Sequence, residues 1–163
     1  MDHRDQPTSQ RGAHPAPGIA VPLRFEWTRR SGIGPDLGIL GDLRDQTVVE
    51  LGCGGGHNLA HVVAHRGATG IGVDRDPAKI RRARAAYGRL PGIRFVLADA
   101  VGHLTSVAPA SVDVCLSIFG AFSFTDPLPL LSATSRALRP GGLLALTLRI
   151  DDHHDRVIVL CRR

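Results

Sequence analysis

Three acids and a run of glycines carry most of the chemistry this sequence can offer. Glu50 stands two residues before Gly52 in residues 47–58, TVVELGCGGGHN, where Gly52, Gly54, Gly55 and Gly56 follow a β-branched apolar run. Glycines there permit a tight strand-to-helix turn with no Cβ between backbone and ligand. Backbone N–H groups and the positive end of a helix dipole then face whatever is bound. Asp74 closes a second apolar run, TGIGVD, 18 residues past Gly56, and Asp99 lies near the end of a third, IRFVLADA. An acid at the carboxyl end of a second strand can hydrogen-bond both hydroxyls of a ribose. The expected ligand is therefore nucleotide-like. A dinucleotide fingerprint, G-x-G-x-x-G, is not met: counted from Gly52, its third glycine falls at position 57, which is His57.

The elements that must position these groups alternate. Strands are expected near 47–51, 69–73, 93–97, 111–117 and 143–149. Helices are expected near 36–41, 57–66, 76–88 and 127–138, with a helical turn around 100–105. Asp126 followed by Pro127 reads as an N-cap with proline at the first helical position. Alternation of this kind gives right-handed β-α-β crossovers and a parallel sheet covered on both faces. Residues 157–161, VIVLC, read as one more strand, folding back antiparallel on the fifth.

The ordered set E-x-G-x-G-x-G (Glu50, Gly52, Gly54, Gly56), TGIGVD, IRFVLADA, VDVCLS at 112–117 and LRPGGLLALTL at 138–148 resembles the class I S-adenosylmethionine (SAM)-dependent methyltransferases. The resemblance covers residues 42–148. It implies an α/β, Rossmann-like doubly wound sheet of order 3-2-1-4-5, here with an abbreviated antiparallel C-terminal strand. It also implies SAM as cofactor and S-adenosylhomocysteine (SAH) as product. Glu50 would bind the methionine amino group, directly or through water, or orient the loop. Gly52, Gly54 and Gly56 would let the backbone close on the cofactor, with Cys53 and Asn58 in the same motif. Asp74 would take the ribose and Asp99 the adenine amino group, flanked by Arg75 and Ala100. Ser117 and Phe119, leaving strand four, would face the methyl donor.

Three segments follow: a disordered arm at 1–20, a lid or helix at 21–46, and a SAM-binding domain at 47–163. The family's substrate-covering insert between strands five and six has no room here. Phe25 and Trp27 are the candidate stacking residues of the lid, the alternative being that Trp27 plugs the core. Phe119, Phe122 and Phe124 are candidates for an apolar substrate wall, with core packing an equal alternative. Catalytic candidates are His57, at the helix start beside the glycine loop, His103, and His153 and His154 in the last turn. His57, His61 and His65 recur every fourth residue, but Leu59, Val62 and Val63 define the opposite face. The stripe is expected to face solvent, and no metal is expected.

Hydrophobic content of 43% and charged content of 21% are those of a soluble globular domain. No apolar run approaches the roughly 20 residues of a membrane span, and the N-terminus has no apolar signal core. Three cysteines without framework spacing, Cys53, Cys115 and Cys161, point to reduced thiols and a cytoplasmic setting. Residues 75–94 carry seven basic side chains against the single acid Asp76. This is a nucleic-acid strip or, more simply, a solvated helix face. Methyl transfer to an O, N or C nucleophile of a small molecule is the leading function. A non-methylating SAM-binding isomerase, cyclase or partner subunit is the second reading, and nucleic-acid or protein methylation the third. Ser117-Ile118-Phe119-Gly120 stands where base-methylating members carry an Asn-Pro-Pro-Tyr-like motif, which counts against nucleic acid. The exposed last strand offers a homodimer contact.

Overall fold

Five parallel strands and one antiparallel strand form a single sheet in the order β3-β2-β1-β4-β5-β6. They are β1 (Thr47–Leu51), β2 (Thr69–Asp74), β3 (Ile93–Leu97), β4 (Val112–Ile118), β5 (Leu138–Arg149) and β6 (Asp155–Cys161). This computed structural model describes residues 18–163, so the arm expected at 1–20 lies outside the described residues but for its last three positions. The central strands β1 and β4 are buried on both faces, with Val48, Val49, Leu51, Cys115 and Leu116 wholly shielded. Their largely apolar sequences, broken in β1 by Glu50 and in β4 by Asp113 and Ser117, are what a doubly covered parallel sheet requires.

Helices α1 (His57–Arg66) and α2 (Pro77–Tyr87) cover one face, together with residues 18–46. Helices α3 (Ala100–Ser106) and α4 (Pro127–Ala137) cover the other. Three of the four begin on an aspartate whose side chain accepts from the first turn: Asp76 for α2, Asp99 for α3 and Asp126 for α4. Helix α1 begins instead on Gly56, which is left-handed at φ 77° and makes no side-chain cap. No helix among the described residues is long and apolar enough to cross a membrane.

Two regions differ from expectation. Strand β5 begins at Leu138, five residues early, because Pro140-Gly141-Gly142 is absorbed as a bulge. Val112 pairs with Leu138 but Val114 with Leu143. Gly141 has φ 77°, and its N–H donates to the carbonyl of Arg162 at 2.8 Å. Residues 21–46 hold no α-helix, only a 3-10 turn over Leu37–Leu40 started by Asp36. Trp27 is 2% exposed there, packed with Phe25, Leu37, Leu40 and Leu43. A Cβ on Gly34 would lie 2.5 Å from the Trp27 Cβ, which leaves room for glycine alone. Trp27 is thus a core plug and not a stacking lid: its indole has no open face.

Only residues 150–154 link β5 to β6, and no strand of the described chain pairs with the outer edge of β6.

Candidate functional site

The carboxyl ends of β1, β2 and β4 converge on two adjoining cavities, of about 290 and 740 Å³. Gly52, Lys79 and Phe119 line both and form the neck between them. The site lies where the strand order reverses, with β1 flanked by β2 and β4, the usual ligand position in an open α/β sheet.

Close backbone approach shapes the neck. Gly52 has φ 78°, and a Cβ on it would stand 2.6 Å from the backbone of Gly120 and Ala121. Gly120 in turn presses against the Leu51 carbonyl. Between them Phe119 is held at φ 49°, a costly conformation for an aromatic residue that persists because both flanks fix it.

The smaller cavity holds Asp74, Arg75, Asp99, Ala100 and Phe124. Asp74 is buried, and its two oxygens accept from the N–H groups of Gly54 and Asp76, each at 2.9 Å. Each oxygen keeps a second lone pair. Asp99 is exposed and accepts from Gly102 N–H at 2.9 Å, so it caps α3 while facing the cavity. Phe124 is 71% exposed at the rim.

The larger cavity is lined by Glu50, Cys53, Gly54, His57 and Asn58, and by residues of the 22–29 segment. Glu50 is 4% exposed and its Oε2 has no hydrogen-bond partner. Burial raises its pKa to about 8; the Leu59 N–H opposes this and the Asp74 carboxylate adds to it. Burial likewise pushes the Cys53 thiol up, reinforced by Glu50 and Asp74, so the thiol stays protonated. His57 is exposed, its ring edge-on to Tyr87 at 5.6 Å.

Several expected site residues lie elsewhere or are already engaged within the protein. Gly56 lines neither cavity; a Cβ there would meet the Phe95 ring at 2.6 Å, so its role is helix–sheet packing. The Asn58 side chain is spent on Glu26, accepting from its N–H and donating to its carbonyl at 2.9 and 3.0 Å. Ser117 is wholly buried, and its Oγ accepts from Phe122 N–H. Phe122 packs on the core. His103 is buried away from both cavities, while His153 and His154 are exposed in the β5–β6 turn and line neither. The histidine stripe is not simply solvated. His61 and His65 both meet the Pro22 carbonyl, at 2.9 and 3.2 Å, and Phe25 packs edge-on to His61. Among the described residues no three of His, Cys, Asp and Glu gather as a metal site requires.

Three features were missed from sequence. Lys79 could have been found as the third residue of a helix capped beside Asp74. Gly120 gives no signal outside the fold. Arg24, Glu26 and Arg29 enter the site only because the segment crosses α1.

Residues 49–146 match a family model described as a methyltransferase domain. An uncharacterised methyltransferase of Mycobacteroides abscessus is 35% identical over 105 residues, covering 64% of this chain and 40% of that protein. A ubiquinone biosynthesis O-methyltransferase of Paracidovorax citrulli is 31% identical over 123 residues, covering 74% of this chain and 47% of the relative. The chain therefore spans less than half the length of these curated relatives. Among solved structures, geranyl diphosphate C-methyltransferase from Streptomyces coelicolor superposes with a TM-score of 0.60 at 21% identity, over 66% of this chain and 39% of that one. That likeness is one of fold.

Proposed function

The chain belongs to the methyltransferase domain family, and we propose that it transfers a methyl group from SAM to a small-molecule acceptor. The observation that carries this reading is the Glu50 carboxyl, buried with an unpartnered oxygen on the wall of the larger cavity. A buried polar atom without a partner calls for a ligand that supplies one, and a carboxyl selects an ammonium. The cavities fit the rest of the cofactor. At about 290 Å³ the smaller one matches only the low end of ligand sites, roughly 300–1,000 Å³. It suits a nucleoside, whose amino-acid arm would pass the neck into the larger cavity.

In this reading Asp74 holds the ribose with its remaining lone pairs, while Asp99, Arg75 and Ala100 frame the adenine. Gly52 and Gly54 bring the backbone against the ligand. Glu50 gives up its Oε2 proton on meeting the ammonium. SAM, when bound, supplies a methyl group on a positively charged sulfur. Phe119 and Gly52 hold the neck narrow, which favours in-line alignment of the reacting atoms. Lys79, bordering both cavities, is placed for the carboxylate of the amino-acid arm.

Calorimetric titration with SAM, SAH and NAD tests the assignment. SAM and SAH are expected to bind, NAD not, and Asp74→Ala to abolish both. A wild-type protein that ignores SAM and SAH overturns it.

A further inference from the structure

The arginine-rich segment after β2 has two readings in the sequence, and its place in the fold separates them. Arg75, Lys79, Arg81, Arg82, Arg84 and Arg89 are all exposed, on α2 and the turns at its two ends. Arg94, on strand β3, stands apart from the helix. The six cations meet the single acid Asp76, so residues 75–89 carry a net charge of +5, equal to the excess of the whole chain.

The elements packed on α2 do not cancel this charge. Asp76 is the helix cap: it accepts from the Ala78 and Lys79 N–H groups at 2.8 and 3.3 Å. Those bonds, with the Lys79 and Arg82 charges behind them, hold its carboxylate below the ordinary range. Helix α2 packs on β2 and β3, and its Tyr87 meets His57 of α1. Together those three elements hold one acid, Asp74, which is buried and bonded to the N–H groups of Gly54 and Asp76. Arg84 donates to the Phe95 carbonyl, a neutral partner. None of the six is in an ion pair among the described residues.

Composition selects the partner. The apolar residues Ile80, Ala83 and Tyr87 of α2 are taken up by the core, and its exposed positions hold no large apolar side chain. A helix that lies on a membrane needs an apolar face to bury, so lipid is disfavoured. The 11 residues of α2 span about 16 Å, a length over which a nucleic-acid duplex presents a phosphate charge about every 1.7 Å. Five of the six cations are arginines, whose planar fork suits phosphate oxygens.

We propose that α2 is a docking surface for the phosphate backbone of a nucleic-acid duplex, bound without base readout. No exposed aromatic side chain stands among the arginines to stack on a base, since Tyr87 is 5% exposed. The lack of an Asn-Pro-Pro-Tyr-like motif after β4 concerns bases as methyl acceptors and leaves a backbone contact open. The surface does not depend on the methyl-transfer reading, although Arg75 and Lys79 bring one end of it to the smaller cavity.

Fluorescence anisotropy of the full chain with a short labelled DNA duplex, and with an RNA duplex of the same sequence, tests this across a salt series. The slope of log K against log salt is expected near −3 to −5, at about −0.9 per phosphate neutralised. Arg81→Ala and Arg82→Ala should each lower its magnitude by about 1. The triple variant Arg81→Ala, Arg82→Ala, Arg89→Ala should lower it by about 3 and bind tenfold or more weakly at about 50 mM salt, with an unchanged melting temperature. The triple variant Arg44→Ala, Arg156→Ala, Arg163→Ala removes the same charge from exposed positions elsewhere and should leave slope and affinity nearly as in wild type. This pattern with either duplex supports the inference, and the tighter of the two identifies the ligand as DNA or RNA. No binding of either duplex at low salt overturns it. Equal weakening by the two triple variants also overturns it, because general charge would then be the cause. Tighter binding to phosphatidylglycerol vesicles than to either duplex, lost in the α2 variant, overturns it in favour of a lipid surface.

Discussion

A carboxyl group in the position of Glu50 is pulled two ways. Burial favours the neutral acid, whereas a bound ammonium favours the carboxylate. With its pKa raised from 4.5 to about 8 in the ligand-free protein, the folded state keeps a proton that the unfolded chain has released. Between about pH 4.5 and 8 the folded form therefore binds more protons, and its stability falls as pH rises through that window. His61 and His103, both lowered by burial, act on the acid side, where stability is lost as pH falls below their ordinary range. Glu50→Gln removes only the first limb. Its melting temperature should exceed the wild type's at pH 8, with the gap closing towards pH 5, as thermal melts across pH would show. Ligand binding carries the opposite sign. Wild-type affinity for SAH should rise by up to about tenfold per pH unit from pH 6 towards 8, and that slope should vanish in Glu50→Gln. A flat wild-type profile would remove Glu50 from the site. Asp74 adds a simpler case: Asp74→Ala strips acceptors from the N–H groups of Gly54 and Asp76. At about 1–3 kcal/mol for each group left unsatisfied in a buried setting, it should melt several degrees lower as well as lose SAH.

At the scale of elements, the glycines after β1 divide into two kinds that the motif does not distinguish. Gly54 has φ 55°, and a Cβ there would meet nothing within 4 Å; Gly56 has φ 77° with the Phe95 ring at 2.6 Å. Gly54→Ala should cost only the left-handed penalty, about 1–2 kcal/mol, and act mainly by weakening SAH binding. Gly56→Ala adds a clash between α1 and the sheet. It should melt well below Gly54→Ala, with any loss of SAH following the loss of fold. Melting temperature and SAH affinity, measured together, separate the two. The same contrast explains what sequence could reveal. The strand and helix alternation and the cap at Asp126 were legible, because periodicity and N-cap chemistry are local, and the order of the sheet followed from the family resemblance. Phe119 at positive φ, the pressing of Gly52 on Gly120 and the burial of Ser117 were not, because each is set by how two loops meet. The bulge in β5 was half legible: Pro140-Gly141-Gly142 announces a break, but the antiparallel bonds from Gly141 N–H to the Arg162 carbonyl and from Arg162 N–H to the Gly142 carbonyl keep it within the strand.

Across the whole molecule, residues 22–29 run from α1 to the β5–β6 hairpin and wall the larger cavity on the way. Three polar clamps hold the run: Pro22 carbonyl to His61 and His65, Glu26 backbone to Asn58, and Arg29 to Asp155. In its middle, Trp27 is sunk into the core with 2% of its surface exposed. The two kinds of hold differ in strength. An ion pair with the arginine 39% exposed contributes about 1 kcal/mol or less, whereas full burial of an aromatic side chain contributes about 2–3 kcal/mol. The wall is therefore pinned at its centre and looser at its ends. Trp27 is the single tryptophan, so its emission reports the pin directly. Asp155→Asn should speed amide exchange around Arg29 by several-fold and lower the melting temperature by no more than about 4 °C, while the emission stays blue-shifted. Adding SAH should leave that emission unchanged in wild type, since the indole has no face towards the ligand. A red shift in Asp155→Asn would mean that the clamps seat the tryptophan. A strong quench by SAH would return Trp27 to the role of a stacking lid.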